Sequence, residues 1–330
     1  MTATGSLTAP GGSGLSEDPL TLGTYLEWWL AQTRSRVRPT TYSGYETLVR
    51  RHARPRIGHV PLGEIRPLHL QGMYSDLLVG GELSSGTVRN VHLVMTQSLG
   101  QAVRWGIIAA NPAAGAQPPR PRRAEAVVVD QALAARLLQV TRGTPFELPG
   151  VLALSTGMRR GEILGLRWAD LDSGLTTAQV RRSLQSTPDG LVIQEPKTKR
   201  SRRQVALPSL LSPYLKDQVK DQGRRRVTAE AWQDQDLVVD RGDGGYVNPG
   251  TMSSGWAAYL KRMGLPKVRF HDLRHGHATL MLLQGVHPKV VSERLGHASV
   301  AITLDLYSHV LPSMQSSAAQ AFDELFDSRA

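Results

Sequence analysis

"VRFHDLRHGHATLML", Val268–Leu282, is the stretch on which the fold of this chain turns. It reads as an apolar helix whose start is crowded by His271, His275 and His277 and by Arg269 and Arg274. If the helix begins near Asp272, His271 and Arg274 are three apart and face one point. An imidazole and a guanidinium converging there suit a phosphate, which arginine binds bidentately. His275 and His277 have a plainer reading, hydrogen bonding at the surface or between domains. A metal is the other option, since His271 and His275 are four apart and His277 or His297 could supply a third nitrogen. No His-Glu-x-x-His pattern is present, however, and the acidic residues nearby are only Asp272, Glu293 and Asp305.

Three further stretches in the same half of the chain hold residues of this kind. "STGMRRGEILGLRW", Ser155–Trp168, sets Arg159 and Glu162 three apart after a Thr-Gly break. This is either a surface salt bridge, worth about 0.2 to 0.5 kcal/mol, or a half-buried arginine oriented by Glu162 and aimed at an anion. "EPKTKRSRRQVALP", Glu195–Pro208, puts Lys197, Lys199, Arg200, Arg202 and Arg203 on a hairpin whose alternate residues point to opposite faces. Most of these cations should meet solvent or a nucleic-acid backbone. "ERLGHASVAITLDLYSHV", Glu293–Val310, presents His297 just after Gly296, a helix C′ glycine, and then Tyr307. A lone tyrosine is usually core packing.

Around these motifs the chain reads as two domains. At 330 residues it can bury two cores. Leu22, Tyr25, Leu26, Trp29 and Leu30 mark an amphipathic helix, and a second carries Tyr42, Tyr45, Leu48, Val49 and His52 on one face. Two more are expected over Leu68–Leu78 and Thr87–Ile107, the latter lined by Val88, Val91, Met95, Leu99, Ala102 and Val103. Residues 21–110 therefore form an all-helical domain, behind a leader over residues 1–20 that is expected to be disordered. "NPAAGAQPPRPRRAEA", residues 111–126, cannot continue a helix and is the linker. Beyond it, helices are expected over Gln131–Val140 and Leu148–Leu166, the latter broken near Thr156 and Gly157. A short antiparallel sheet follows, turning at Pro188-Asp189-Gly190, and the remainder reads as helical. The fold class is mostly α with a small antiparallel β-sheet, the second domain being mixed α+β over residues 127–312. In the tail, 313–330, Met314, Ala318, Phe322, Leu325 and Phe326 have helical spacing, for packing on their own domain or on a neighbouring copy.

Composition narrows the chemistry. The absence of cysteine excludes disulfides, thiolate zinc sites and a cysteine nucleophile. Lys+Arg of 39 against Asp+Glu of 28 gives a net charge of +11, which suits a polyanionic partner. Between Thr21 and Arg56, Arg34, Arg36, Arg38, Arg50, Arg51, Arg54 and Arg56 face only Glu27 and Glu46. No run approaches the ~18 apolar residues of a membrane helix, and no signal peptide opens the chain, so a cytoplasmic location is expected.

Thr-Gly-x-Arg-x-x-Glu, a basic hairpin, His-x-x-Arg, Leu-Gly-His and a tyrosine, in that order, resemble the tyrosine recombinases of the phage integrase family. The likeness covers most of residues 21–312, through "TGMRRGE", "RWADLD", "PKTKRSRR", "HDLRHGHATLML" and "LGHASVAITLDLYSH". It implies a SAM-like core-binding domain and a catalytic domain that close as a C-shaped clamp on duplex DNA. It also implies Arg159, Lys197, His271, Arg274, His297 and Tyr307 as the catalytic set, supported by Glu162, with Lys199 the alternative to Lys197. Arg34, Arg36, Arg38, Arg50, Arg51, Lys199, Arg200, Arg202 and Arg203 would then contact DNA.

The chemistry suits those roles. A free tyrosine is phenolate in only about one molecule in a thousand at pH 7, so Tyr307 needs cations and a proton acceptor, His271. Arg159 and Arg274 would hold the nonbridging oxygens in the transition state, with His297 as a further donor. Lys197 would protonate the departing 5′-oxygen. The resulting 3′-phosphotyrosyl bond conserves the phosphodiester energy, so no cofactor is expected, neither ATP nor a metal. Strands would exchange through a Holliday junction, in a homotetramer on two sites that is a monomer or weak oligomer off DNA, on the nucleoid, with accessory or directionality factors left open. The short leader favours a simple two-domain recombinase without an arm-site domain. Competing readings are a silent DNA-binding protein on the same scaffold, a type IB topoisomerase, and a metal hydrolase built on His271, His275 and His297.

Overall fold

Thr21 caps the first helix: its hydroxyl accepts from the Thr24 amide at 3.3 Å. The computed structural model describes residues 19–79, 81, 83–121, 127–187, 189–195, 202–307, 319–320 and 322–323, with the backbone alone at 305–307. The chain divides into two units, Met1–Arg123 and Ala124–Ala330.

The first unit is helical: α1 (Leu22–Thr33), α2 (Pro39–Leu48), α3 (Arg54–Ile57), α4 (Pro67–Val79) and α5 (Ser85–Arg104). The apolar stripe of α1 is buried as its spacing predicts, Leu22, Tyr25, Leu26, Trp29 and Leu30 packing with Val88, Val91, Met95, Leu99 and Ala102 of α5. Tyr25 satisfies its hydroxyl by donating to the Ser98 carbonyl at 2.6 Å. The second expected helix is not uniform. It passes through a π-helical turn, Val49–Ala53, just before Pro55, which has no amide hydrogen to donate four residues back. The stretch read as a linker also begins inside this unit. Asn111 caps the short 3-10 turn Pro112–Gly115, and Ala113 and Ala116 are buried in the same core.

The second unit opens with α6 (Gln131–Thr141), capped by the Asp130 carboxylate, then α7 (Glu147–Thr156) and α8 (Arg160–Leu164). The break expected near Gly157 separates α7 from α8. Among the described residues four strands follow: β1 (Thr177–Val180), β2 (Ser183–Thr187), β3 (Gly190–Gln194) and β4 (Arg203–Ala206). They form two separate two-stranded antiparallel ladders, β1 with β4 and β2 with β3, the second closing at Thr187 and Gly190 around the expected turn, of which Pro188 lies outside the described residues. The chain continues through α9 (Leu211–Thr228), α10 (Pro249–Arg262), α11 (Phe270–Leu283), α12 (Pro288–Leu295) and α13 (Val300–Tyr307).

The expected mostly-α fold with a small antiparallel β component is therefore what the chain adopts. One expectation fails: residues between α9 and α10 are not helical. There Asp240, with its side chain fully buried, accepts from Arg225, Gln222 and the amides of Gly242 and Gly244, and these bonds replace a helical ladder. The core of this unit centres on Trp256, whose ring meets Phe270 edge-on at 5.5 Å and whose Nε1 donates to the Val268 carbonyl at 2.8 Å. That packing fixes the start of α11, and α11 lies along α7. Among the described residues no helix is long and apolar enough to cross a membrane.

Candidate active site

Two helix C-termini meet in the second unit. α7 ends at Gly157, φ +67°, and α12 ends at Gly296, φ +66°, the left-handed conformation that favours glycine. A Cβ on Gly157 would lie 2.6 Å from Leu295 Cδ2 and 2.7 Å from His277 Cδ2, so crowding as well as dihedral angle demands glycine there. At the end of α12 the amides of Gly296 and His297 donate to the carbonyls of Glu293 and Ser292, each at 3.0 Å. The carbonyls that follow need other partners, and each helix end carries roughly half a negative charge.

Cationic side chains from distant parts of the chain fill that need. Arg274 donates to the Gly157 carbonyl at 2.6 Å and to the Leu295 carbonyl at 2.7 Å. Arg159 donates to the Gly296 carbonyl at 3.0 Å, and Arg203 Nε to the Arg294 carbonyl at 2.7 Å. Arg294 turns its own side chain to the Ser155 carbonyl at 3.0 Å and the Ala206 carbonyl at 2.9 Å. Arg274 is only 3% exposed. Burying an isolated cation that deeply would cost several kcal/mol, and the carbonyls of two helix ends offset it.

Glu162 orients Arg159. Its carboxylate accepts from the Arg159 amide and Nη1, both at 2.8 Å, and from Arg203 at 2.9 and 3.1 Å. Burial alone would raise this carboxyl's pKa; the hydrogen bonds and charge of Arg203, joined by those of Arg159, outweigh burial and hold it below the usual range. Of the two accounts offered by the sequence, an arginine at a helix start set by a buried glutamate is the one observed.

The histidines complete the cluster. His271 and His275 meet edge-on with ring centroids 4.9 Å apart, and His297 Nδ1 lies 2.8 Å from the Thr303 hydroxyl on α13. Desolvation, then the charges of His275, Arg274 and Arg159, pushes His271 down to about 4, even though part of its surface faces solvent. Desolvation, then Arg274 and Arg159, does the same to His297, also to about 4. Shifts in that direction leave both rings neutral at pH 7.

The structure thus brings together Arg159, Glu162, His271, Arg274 and His297. Lys197, Lys199 and Arg200 lie outside the described residues, as does the side chain of Tyr307, whose backbone closes α13 one turn beyond Thr303. Two expectations are corrected. Arg203 was expected on the DNA-facing hairpin, but its side chain is 7% exposed and is consumed by Glu162 and the end of α12. His277 was expected at the surface or between domains, but it is buried, with Nδ1 against the Leu154 carbonyl at 2.8 Å and Nε2 accepting from Arg294 at 3.1 Å. Arg202 is exposed and paired with Glu195.

Among the cations expected on DNA in the first unit, Arg36 and Arg51 are exposed, and Arg34 lies over the Tyr42 ring at 5.6 Å. Arg38 is half-buried. Arg50 is already engaged by Glu27 at 2.9 Å and Glu46 at 2.8 Å. A cleft of about 880 Å³ lies at the opposite end of α7, lined by Arg142, Glu147, Tyr214 and Asp240. There Asp240 is paired to Arg225.

Comparison with known proteins gives a consistent picture. Residues 137–314 match the family model described as phage integrase family, and residues 21–78 match the phage integrase, N-terminal SAM-like domain. A tyrosine recombinase XerC-like protein of Caldanaerobacter subterraneus subsp. tengcongensis is 28% identical over 95% of this chain and 86% of its own length. An integrase of Saccharopolyspora erythraea is 26% identical over 91% of this chain and 82% of its own. Among solved structures, the Tn1549 transposon integrase in complex with a circular intermediate DNA superposes with a TM-score of 0.77 at 21% identity, covering 92% of this chain and 99% of that one. A lambda integrase tetramer bound to a Holliday junction superposes at 0.64 and 18% identity, covering 86% and 79%. At such identities the structural likeness speaks for the fold.

Proposed function

Because this chain belongs to the phage integrase family, the tyrosine recombinases that cleave and rejoin DNA at specific sites, we propose that Tyr307 is its nucleophile and that Arg159, Arg274 and His297 hold the scissile phosphate. The phenolic oxygen attacks phosphorus while the bond to the 5′-oxygen breaks. His271, neutral at pH 7, takes the phenolic proton, and Lys197, or Lys199 on the same hairpin, supplies one to the leaving oxygen. Arg159 and Arg274 balance the charge that builds on the nonbridging oxygens. The products are a 3′-phosphotyrosyl bond and a free 5′-hydroxyl, which in a second duplex reverses the step.

The observation that carries this reading is the convergence of two guanidinium groups and two neutral imidazoles at the junction of α7 and α12, with the backbone of Tyr307 ending the next helix. We assign residues 21–110 to core-site binding, with Arg36 and Arg51 among the phosphate contacts alongside Arg34 and Arg38, and residues 127–312 to the chemistry. On two recombining sites the working assembly is a homotetramer of this chain on the nucleoid; the lambda integrase tetramer on a Holliday junction supports that choice.

The test is to incubate the protein with sheared, nicked source DNA, stop with detergent and sequence the covalently held fragments. The wild type should hold one recurrent site, and Tyr307→Phe should hold none while binding DNA equally. Adducts that persist in Tyr307→Phe would remove Tyr307 as nucleophile.

A further inference from the structure

The last turn of α12 is where the cluster is tied together. Once the amides of Gly296 and His297 have taken the carbonyls of Ser292 and Glu293, the next three carbonyls each receive a different arginine: Arg203 at residue 294, Arg274 at 295 and Arg159 at 296. Arg274 and Arg159 are the two assigned to the phosphate. Arg203 also clasps the glutamate that holds Arg159, so Arg159, Glu162, Arg203 and the 294–296 backbone form a closed ring. Arg294 pins the same turn from outside. Its side chain reaches the end of α7 at Ser155, the end of β4 at Ala206, and His277 on α11. Since His277 Nδ1 is bonded to the Leu154 carbonyl, its Nε2 is the acceptor in that last contact.

We infer that Arg203 and Arg294 are positioning residues for strand cleavage, locking the α12 turn so that its carbonyls present Arg159 and Arg274 to the scissile phosphate. This rests on the proposed reading of the site. Neither residue has to touch DNA: their work is to keep one turn of backbone registered against α7 and β4. A shift of that turn would move both phosphate-binding guanidiniums together. Lysine cannot substitute, because one ammonium on a flexible stem does not span the separate acceptors that each planar guanidinium bridges.

The test uses the full chain with Arg203→Lys and Arg294→Lys, each paired with its glutamine counterpart so that one folded variant per position suffices. Single-turnover formation of the covalent adduct is measured on a nicked site found with the wild type, and again on the same site with a methylphosphonate at the scissile position. Replacing a nonbridging oxygen by methyl removes the charge that Arg159 and Arg274 face. Cleavage of the phosphodiester should fall roughly 30- to 100-fold with DNA affinity within about twofold, the size of effect that a small misplacement produces. On the methylphosphonate the deficit relative to wild type should shrink to about threefold or less, because less charge needs stabilising. Equal deficits on both substrates, or no deficit on the phosphodiester, would overturn the positioning role while leaving the tyrosyl mechanism standing. A wild type that forms no adduct at all would overturn that mechanism and this inference with it.

Discussion

Glu162→Gln isolates the electrostatics that hold the site together. Glu162 is 4% exposed and shared by two arginines. The Arg159 side chain is 38% exposed, so solvent screens its pair and little stability is lost there. Arg203 is 7% exposed and would lose the carboxylate charge of its buried pair with Glu162. Stranding a buried charge costs about 3 to 5 kcal/mol, and the one acceptor oxygen kept by glutamine recovers about 1 to 2 kcal/mol as hydrogen bonds to charged donors. The net expectation is a loss of about 1 to 4 kcal/mol, which lowers the melting temperature of a unit this size by roughly 2 to 16 °C.

The pH dependence has a definite sign. The folded-state pKa of Glu162 is depressed, so its contribution is complete above the ordinary carboxylate pKa of about 4.3 and is lost as the pH falls through the lower, folded-state value. Scanning calorimetry of wild type and Glu162→Gln should therefore show a constant gap from pH 8 to about 5, closing in stronger acid. Taking the difference cancels the histidine titrations common to both proteins. A gap below about 0.5 kcal/mol at pH 7, within the range of an ordinary surface substitution, or one that does not narrow in acid, would refute the buried-pair account.

Other perturbations probe the same junction. Arg274→Ala should slow adduct formation by about 100-fold or more, as for loss of a preorganised donor, with much less effect on DNA affinity; comparable losses in both would make it a plain backbone contact. Gly157→Ala meets both a left-handed φ and a 2.6 Å approach to Leu295, so urea denaturation should report a loss of about 2 to 4 kcal/mol from strain and overpacking together. For His277, desolvation pushes the pKa down to about 4, with the charge of Arg294 adding to it against the Leu154 hydrogen bond. Protons thus bind the unfolded chain first, and stability should fall as the pH drops from about 6.5 towards 4. His277→Gln should make that limb shallower without removing it, since His271 and His297 titrate over the same range, and an unchanged slope would show that other groups set it.

Much of this was legible in the sequence. Helices α1 and α5 announced themselves because a one-sided apolar stripe can be buried in only one way. The α7–α8 break was visible in Thr156-Gly157, and Pro188-Asp189-Gly190 marked the β2–β3 turn. Arg159, Glu162, His271, Arg274 and His297 could be singled out because short motifs carry them and the order of those motifs resembles that of a known family. Arg203 and Arg294 could not. Arg203 sits in a run of cations that looks like solvated charge, and its partners lie 41 and 91 residues away. His277 looked like one more polar residue of a helix start, since nothing nearby in sequence says that the Leu154 carbonyl waits for it. The segment between α9 and α10 was read as helix because its hydrogen bonds run to the side chain of Asp240, an arrangement no periodicity encodes.

The cluster of cations around His271 and His297 has a thermodynamic consequence for DNA binding. Their imidazoles are poor bases in the free protein because desolvation and neighbouring positive charges oppose protonation. On the proposed reading, a phosphate seated between Arg159 and Arg274 would cancel part of that opposition and raise the proton affinity of both rings. Ligand and proton would then be coupled in both directions: a slightly acidic solution would tighten the grip on DNA, and duplex binding would draw protons out of the buffer.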